Sequence, residues 1–296
     1  MKEFSTAFAA HIATGATRLC TCWLIERSDG NVLGFSDHDQ KIEFNGNQYL
    51  PAHGLEGSEV AAKLGAQVDT SQISGILHSA AIDHDDIILG RYDNATVKTF
   101  AVNWSDVSMR QLLRVDTIGE ITREDGFFRA ELRSSQESMN KPQGRRYQTQ
   151  CDVLLGDVRC GVAIENPIYK GAGTITMVKS RFAIEASGLS AFDSDWFSLG
   201  RVAWLEGKRL ALRDRLQKHE LDGVTAILNF VEPVGDWVSV GNLFHVYAGC
   251  DRRFSTCKDK FSNSLNFQGF PHIPGNDFIL SYPKSADDYS GSPLIS

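Results

Sequence analysis

Apolar and polar residues alternate along most of this chain with the period of two that sends successive side chains to opposite faces of a β-strand. Leu19 to Glu26 alternates around Trp23 and leads through Asp29-Gly30 into Val32 to Phe35. Lys41 to Phe44 leads through Asn45-Gly46 into Gln48 to Leu50. Asn-Gly and Asp-Gly between such runs are the turn chemistry of short hairpins, so the first fifty residues predict an antiparallel sheet. Ala95 to Trp104, Gln111 to Thr122 and Phe127 to Arg133 continue the pattern, the last two joined by a turn at Glu124-Asp125-Gly126. The N-terminus differs: Phe4, Phe8, Ile12 and Leu19 stand at roughly helical spacing and predict a short amphipathic helix, which Gly15 weakens.

From Ser134 to Gln150 the chain turns to Gln, Ser, Asn and Arg around a Pro142-Gln143-Gly144 break, which reads as a short helix or arm closing a first domain, 1–150. A short segment, 151–165, follows. A second β-rich domain, 166–245, carries strand-like runs at Gly173 to Val178, Arg181 to Glu185, Arg201 to Leu205, Lys208 to Asp214 and Thr225 to Phe230. Residues 246–296 form a C-terminal segment. Two successive β-rich units of similar style allow two copies of one architecture, although no residue-level repeat links them.

At 296 residues the chain has length for about two domains. With 42% hydrophobic and 23% charged residues it is neither disordered nor collagen-like. No apolar run reaches the roughly 18 to 20 residues of a membrane helix, and His11, Thr14, Thr17 and Arg18 interrupt the N-terminal stretch, so neither a membrane anchor nor a secretory signal is expected. A net charge of -7 argues against a general nucleic-acid binder and leaves an acidic conduit for DNA possible.

The absence of an export signal implies a reducing compartment, where six cysteines are more often buried thiols or metal ligands than disulfides. Cys151 and Cys160 bracket one segment rich in Gly and Asp; Cys250 and Cys257 bracket another segment with turn formers. Four soft ligands suit zinc or an iron–sulfur centre. Their gaps exceed the two to four residues usual in zinc fingers, which weakens zinc. Burial of all four as small apolar side chains is the competing reading. Cys20 and Cys22 lie two apart on a strand and so share a face, where packing is expected.

Asp37-His38-Asp39 and His84-Asp85-Asp86 contain metal-ligand types, but each follows a strand-like run and carries turn formers, so both read as turns or solvated loops. A cysteine peptidase built on Cys22, His38 and His53 is the best enzymatic alternative. Cys22 is followed by Trp23-Leu24-Ile25, a run that buries a thiol and raises its pKa, so no catalytic residue is assigned. Pro271 and Pro274 set an extended segment around His272-Ile273, a surface arm or strap.

Several segments together resemble a phage-derived tail family that includes the hub proteins of gene transfer agents. They are Gly34-Phe35-Ser36-Asp37-His38-Asp39, Gly90-Arg91-Tyr92-Asp93, Leu155 to Gly161 around Cys160, Gly249 to Cys257, and Phe270-Pro271-His272-Ile273-Pro274-Gly275. The resemblance spans nearly the whole chain and is weakest between 165 and 245. It implies a mainly β protein with short helices and two tail-tube-like antiparallel β-barrels. It further implies a homotrimer that presents six similar domains, mating a threefold tip to a sixfold tail tube. Expected neighbours are a distal tail protein on one side and a fibre-bearing tip protein on the other, with DNA passing through the lumen of a particle assembled in the bacterial cytoplasm. By motif position, Cys151, Cys160, Cys250 and Cys257 match the cysteines that hold an iron–sulfur cluster, 4Fe-4S, in related tail-tip proteins. Such a cluster would tie the chain's end to its middle as a structural clip. A zinc-stabilised binding module is the alternative.

Overall fold

The computed structural model describes residues 5–51, 56–57, 70–76, 82–124, 127–134 and 144–273. The Asp125-Gly126 turn, His53, most of the 134–150 arm and the Pro274-Gly275 end of the C-terminal motif lie outside them. The chain forms two compact units, Met1–Gln143 and Gly144–Ser296.

The first unit opens with helix α1, Thr6–Ala13, capped where the Ser5 hydroxyl accepts the Phe8 N–H. Strands β1 (Leu19–Glu26), β2 (Val32–Ser36), β3 (Ile42–Phe44), β4 (Asn47–Pro51), β5 (Glu56–Gly57) and β6 (Thr70–Ile76) follow. Helix α2 (His84–Ile88) precedes β7 (Thr96–Asn103), β8 (Arg110–Glu124) and β9 (Phe127–Ser134). They form one sheet in the order β3-β4-β2-β1-β7-β8-β9-β6-β5. The Asn45-Gly46 hairpin is realised with φ of 52° and 75°, the positive pair that a two-residue turn needs to match strand twist.

Strand β1 is packed on both faces because its parity divides two clusters. Trp23 joins Phe35, Val97, Ile118 and Leu132, while Cys20, Cys22 and Leu24 join Phe44, Tyr49 and Phe100. Cys22 is fully buried with its Sγ 3.7 Å from the Ser36 hydroxyl, and its thiol pKa is driven up by its hydrogen bond with Cys20 and by burial. Cys20 and Cys22 are therefore packing residues. His84-Asp85-Asp86, expected as a loop, is instead the start of α2. Asp83 caps it, and Asp86 pairs with the buried Arg27 at 2.6 Å.

The second unit contains β10 (Lys170–Ser180), β11 (Ala183–Ser187), β12 (Arg201–Trp204), β13 (Arg213–Asp222), β14 (Thr225–Phe230) and β15 (Leu243–Tyr247), followed by helix α3 (Phe254–Asp259). The six strands close as β10-β11-β14-β13-β12-β15. β15 completes the ring: Tyr247 stands opposite Lys170 of β10 and opposite Arg201 of β12. Ile175, Ile184, Leu228, Phe230, Phe244 and Val246 fill the interior. Trp204 is nearly enclosed and donates its indole N–H to Asp214, which also accepts from Arg209 at 2.7 Å.

Two barrels were expected. Among the described residues one closed barrel is seen, in the second unit. In the first unit the end strands β3 and β5 do not pair with each other among the described residues. The strand expected at Lys208 to Asp214 begins only at Arg213, because the chain before it turns to bring Arg209 back onto Asp214. No helix among the described residues is long and apolar enough to cross a membrane.

Candidate metal centre

The four cysteines lie in two segments of the second unit that are shaped by turns. In the first, Asp157 N–H donates to Leu154 C=O at 3.1 Å and Cys160 N–H to Asp157 C=O at 2.9 Å, so the chain doubles back between Cys151 and Cys160. Arg145 anchors its start, donating to Asp152 at 2.9 Å and holding that carboxyl below the usual carboxylate range.

The second segment leaves the barrel at the end of β15. Gly249 passes so close to the backbone that a Cβ there would stand 1.6 Å from the Ser198 carbonyl oxygen, a contact that permits glycine only. Cys250 follows at once; its Sγ accepts the Arg252 N–H at 3.4 Å, and α3 then carries Cys257. Lys260 pins this segment to the barrel loop, its ammonium donating to Trp196 C=O at 2.6 Å and Gly249 C=O at 3.0 Å.

All four thiols line one small cavity, walled by Leu155, Phe261 and Phe267. Cys151 and Cys160 are buried, and Cys250 and Cys257 are partly so. Burial raises the Cys250 pKa. It also pushes Cys257 up to about 11, with further contributions from Cys250, Cys160 and Cys151. Crowded thiols resist ionisation because each new thiolate repels the others, unless a cation compensates them. The donor set is therefore one that a soft metal centre fits. Among the described residues, however, no three Cys, His, Asp or Glu side chains converge on a site for a single ion. His38 and His84 belong to the first unit, and His272 meets Phe254 edge-on with ring centroids 6.5 Å apart.

Residues 5–163 match the family model described as baseplate hub protein, N-terminal attachment domain. This chain belongs to the baseplate hub family. A second model, phage conserved hypothetical protein BR0599, matches residues 195–277 of the hub. Cys151 and Cys160 fall in the first match, Cys250 and Cys257 in the second. Among solved structures, a chain of the "Virion of native gene transfer agent (GTA) particle" is 34% identical to this hub, with a TM-score of 0.89 over 96% of this chain and 98% of that one. None of the curated proteins matches the sequence. The hub is thus a structural component of a phage-type tail.

Sequence reasoning missed three features around the cysteines: the Lys260 tie, the Gly249 crossing and the side chain of Asn263, described below. None has a local pattern. Each depends on a partner distant in sequence.

Proposed function

We propose that this hub is a trimeric adaptor at the tip of a phage or gene-transfer-agent tail, joining a sixfold tube to a threefold tip and lining the channel through which DNA leaves. A distal tail protein and a fibre-bearing tip protein are its neighbours. A 4Fe-4S cluster on Cys151, Cys160, Cys250 and Cys257 staples the second unit. The observation that carries the cluster reading is the shared cavity, which both cysteine pairs line although the barrel strands separate them along the chain. Zinc, at Zn–S distances of about 2.3 Å, draws its four ligands tightly together. The gaps within both cysteine pairs exceed the two to four residues usual in zinc fingers, which favours the cluster over zinc.

When bound, the cluster supplies covalent cross-links between the chain's middle and its end. The protein's part is to pre-shape the two turns, exclude water with Leu155 and Phe267, and hold the second segment to the barrel through Lys260. The net charge of -7 suits a channel wall that DNA slides past without adhering.

Anaerobic purification with iron, zinc and sulfide quantitation tests the cluster, repeated on Cys250→Ser. Iron and labile sulfide at about four each per chain, lost in the variant, support it. About one zinc per chain replaces it with the zinc reading. Metal-free protein removes it. Native mass spectrometry tests the trimer, and a monomer at assembly concentrations counts against the adaptor role.

A further inference from the structure

Asn263 lies outside both cysteine segments yet bonds to each. Its backbone N–H donates to the Cys257 carbonyl at 2.9 Å, and its own carbonyl accepts the Cys257 thiol at 3.3 Å. Its side-chain Nδ2 donates to the Cys160 carbonyl at 2.6 Å and lies 3.9 Å from the Cys160 Sγ. Ser262, just past α3, takes a φ of 50° that turns the chain there. A carboxamide can face either way, and here the Cys160 carbonyl, which can only accept, takes the NH2 end, while Asn266 Nδ2 donates to the other end, Asn263 Oδ1, at 2.7 Å. Gly161 makes room for this relay, since a Cβ there would stand 3.2 Å from Asn266 Nδ2.

We infer that Asn263 is a positioning residue of the four-cysteine centre: its carboxamide fixes the spacing between the Cys160 turn and the Cys257 helix and presents an N–H to the Cys160 sulfur, with Asn266 bracing its oxygen end. The inference rests on the proposed thiolate-held centre. An amide NH2 carries two N–H bonds. One is satisfied by the Cys160 carbonyl, and the other faces the sulfur. An N–H directed at a ligand sulfur stabilises its negative charge and raises the potential at which a cluster is reduced. Aspartate has the same shape but no donor, and it would set a carboxylate against the thiolates.

The test compares full-length wild type, Asn263→Asp, Asn263→Ala and Asn266→Ala, all purified anaerobically. It measures metal content, the rate of metal loss to a chelator, and the midpoint potential where iron is present. We expect Asn263→Asp and Asn263→Ala to lose metal about 10 to 100 times faster, with a lower midpoint potential. Asn266→Ala, which removes the hydrogen bond that braces the Asn263 carboxamide oxygen, falls between them and wild type. Should the Asn263 variants fail to fold, Asn266→Ala alone decides, since it leaves both the Asn263 and cysteine side chains in place. Wild type without metal overturns the centre itself. Metal-loaded wild type with variants of unchanged loss rate and potential overturns only the role of Asn263.

Discussion

The backbone N–H of Cys151 donates to the carbonyl of Arg252 at 2.9 Å, so the first residue of one cysteine segment is bonded to the heart of the other. Because the bond uses main-chain atoms, it exists whatever the sulfurs hold. The cavity is thus shaped by turns and backbone hydrogen bonds independently of the proposed metal centre.

Arg252 aims that carbonyl from a left-handed conformation, φ 64°. For an L-residue this costs roughly 1–2 kcal/mol, and most for a β-branched side chain. Arg252→Gly should leave the thermal midpoint near wild type, its relief offset by a freer unfolded chain. Arg252→Val should destabilise by about 1–2 kcal/mol. Equal melting of the two variants by circular dichroism would show that the conformation is not required.

Stripping the centre should loosen the second unit. A cross-link between Cys151 and Cys257 closes a long loop, and loops of ~100 residues lose up to about 4.7 kcal/mol of unfolded-state entropy when closed. Chelated protein should therefore unfold at a lower urea concentration than metal-loaded protein. Identical urea midpoints would rule out a clip.

Within the barrel, Arg209 and Asp214 form a buried pair with the Trp204 indole. Asp214→Ala strands a buried guanidinium and should cost about 3–5 kcal/mol. Replacing both charges, Arg209→Met with Asp214→Leu, should recover much of that loss. A double variant no more stable than Asp214→Ala in chemical denaturation would contradict this.

His219 is wholly enclosed, with both ring nitrogens unpartnered among the described residues and its ring 5.1 Å from Phe197. Burial lowers its pKa; Asp195 pulls it up and Lys260 pushes it down. The folded state thus binds this proton more weakly than the unfolded state does. Stability is whole above the unfolded histidine pKa of about 6.5 and falls as pH drops below it. His219→Phe should flatten that acid-side decline in melting temperature. A wild-type slope retained in the variant would assign it elsewhere, His245 being the next candidate because burial lowers its pKa as well.

The strands were legible where alternation ran unbroken: Leu19 to Glu26 and Thr225 to Phe230 coincide with β1 and β14 residue for residue. β13 was not. A bulge between Leu216 and Lys218 shifts its inward set from Asp214 and Leu216 to His219, and two of those three residues are polar. A period of two cannot be seen through an inserted residue and a buried ion pair. α3 was missed because six residues are too few to display a helical period. At the candidate site, spacing marked the two cysteine pairs but not that they share a cavity. That fact depends on Cys151 meeting Arg252 and Lys260 meeting Gly249, contacts between residues with no local pattern.

Because β15 pairs with β10 on one side and with β12 on the other, the barrel of the second unit has no open hem among the described residues. Nothing can be stitched onto it strand by strand, neither a correct neighbour nor a misfolded copy. Its conversation with the rest of a particle must pass through its rims, its loops and its outward side chains. When many copies crowd together during particle construction, such a ring can be stacked or clasped, but not spun into a fibre through its backbone.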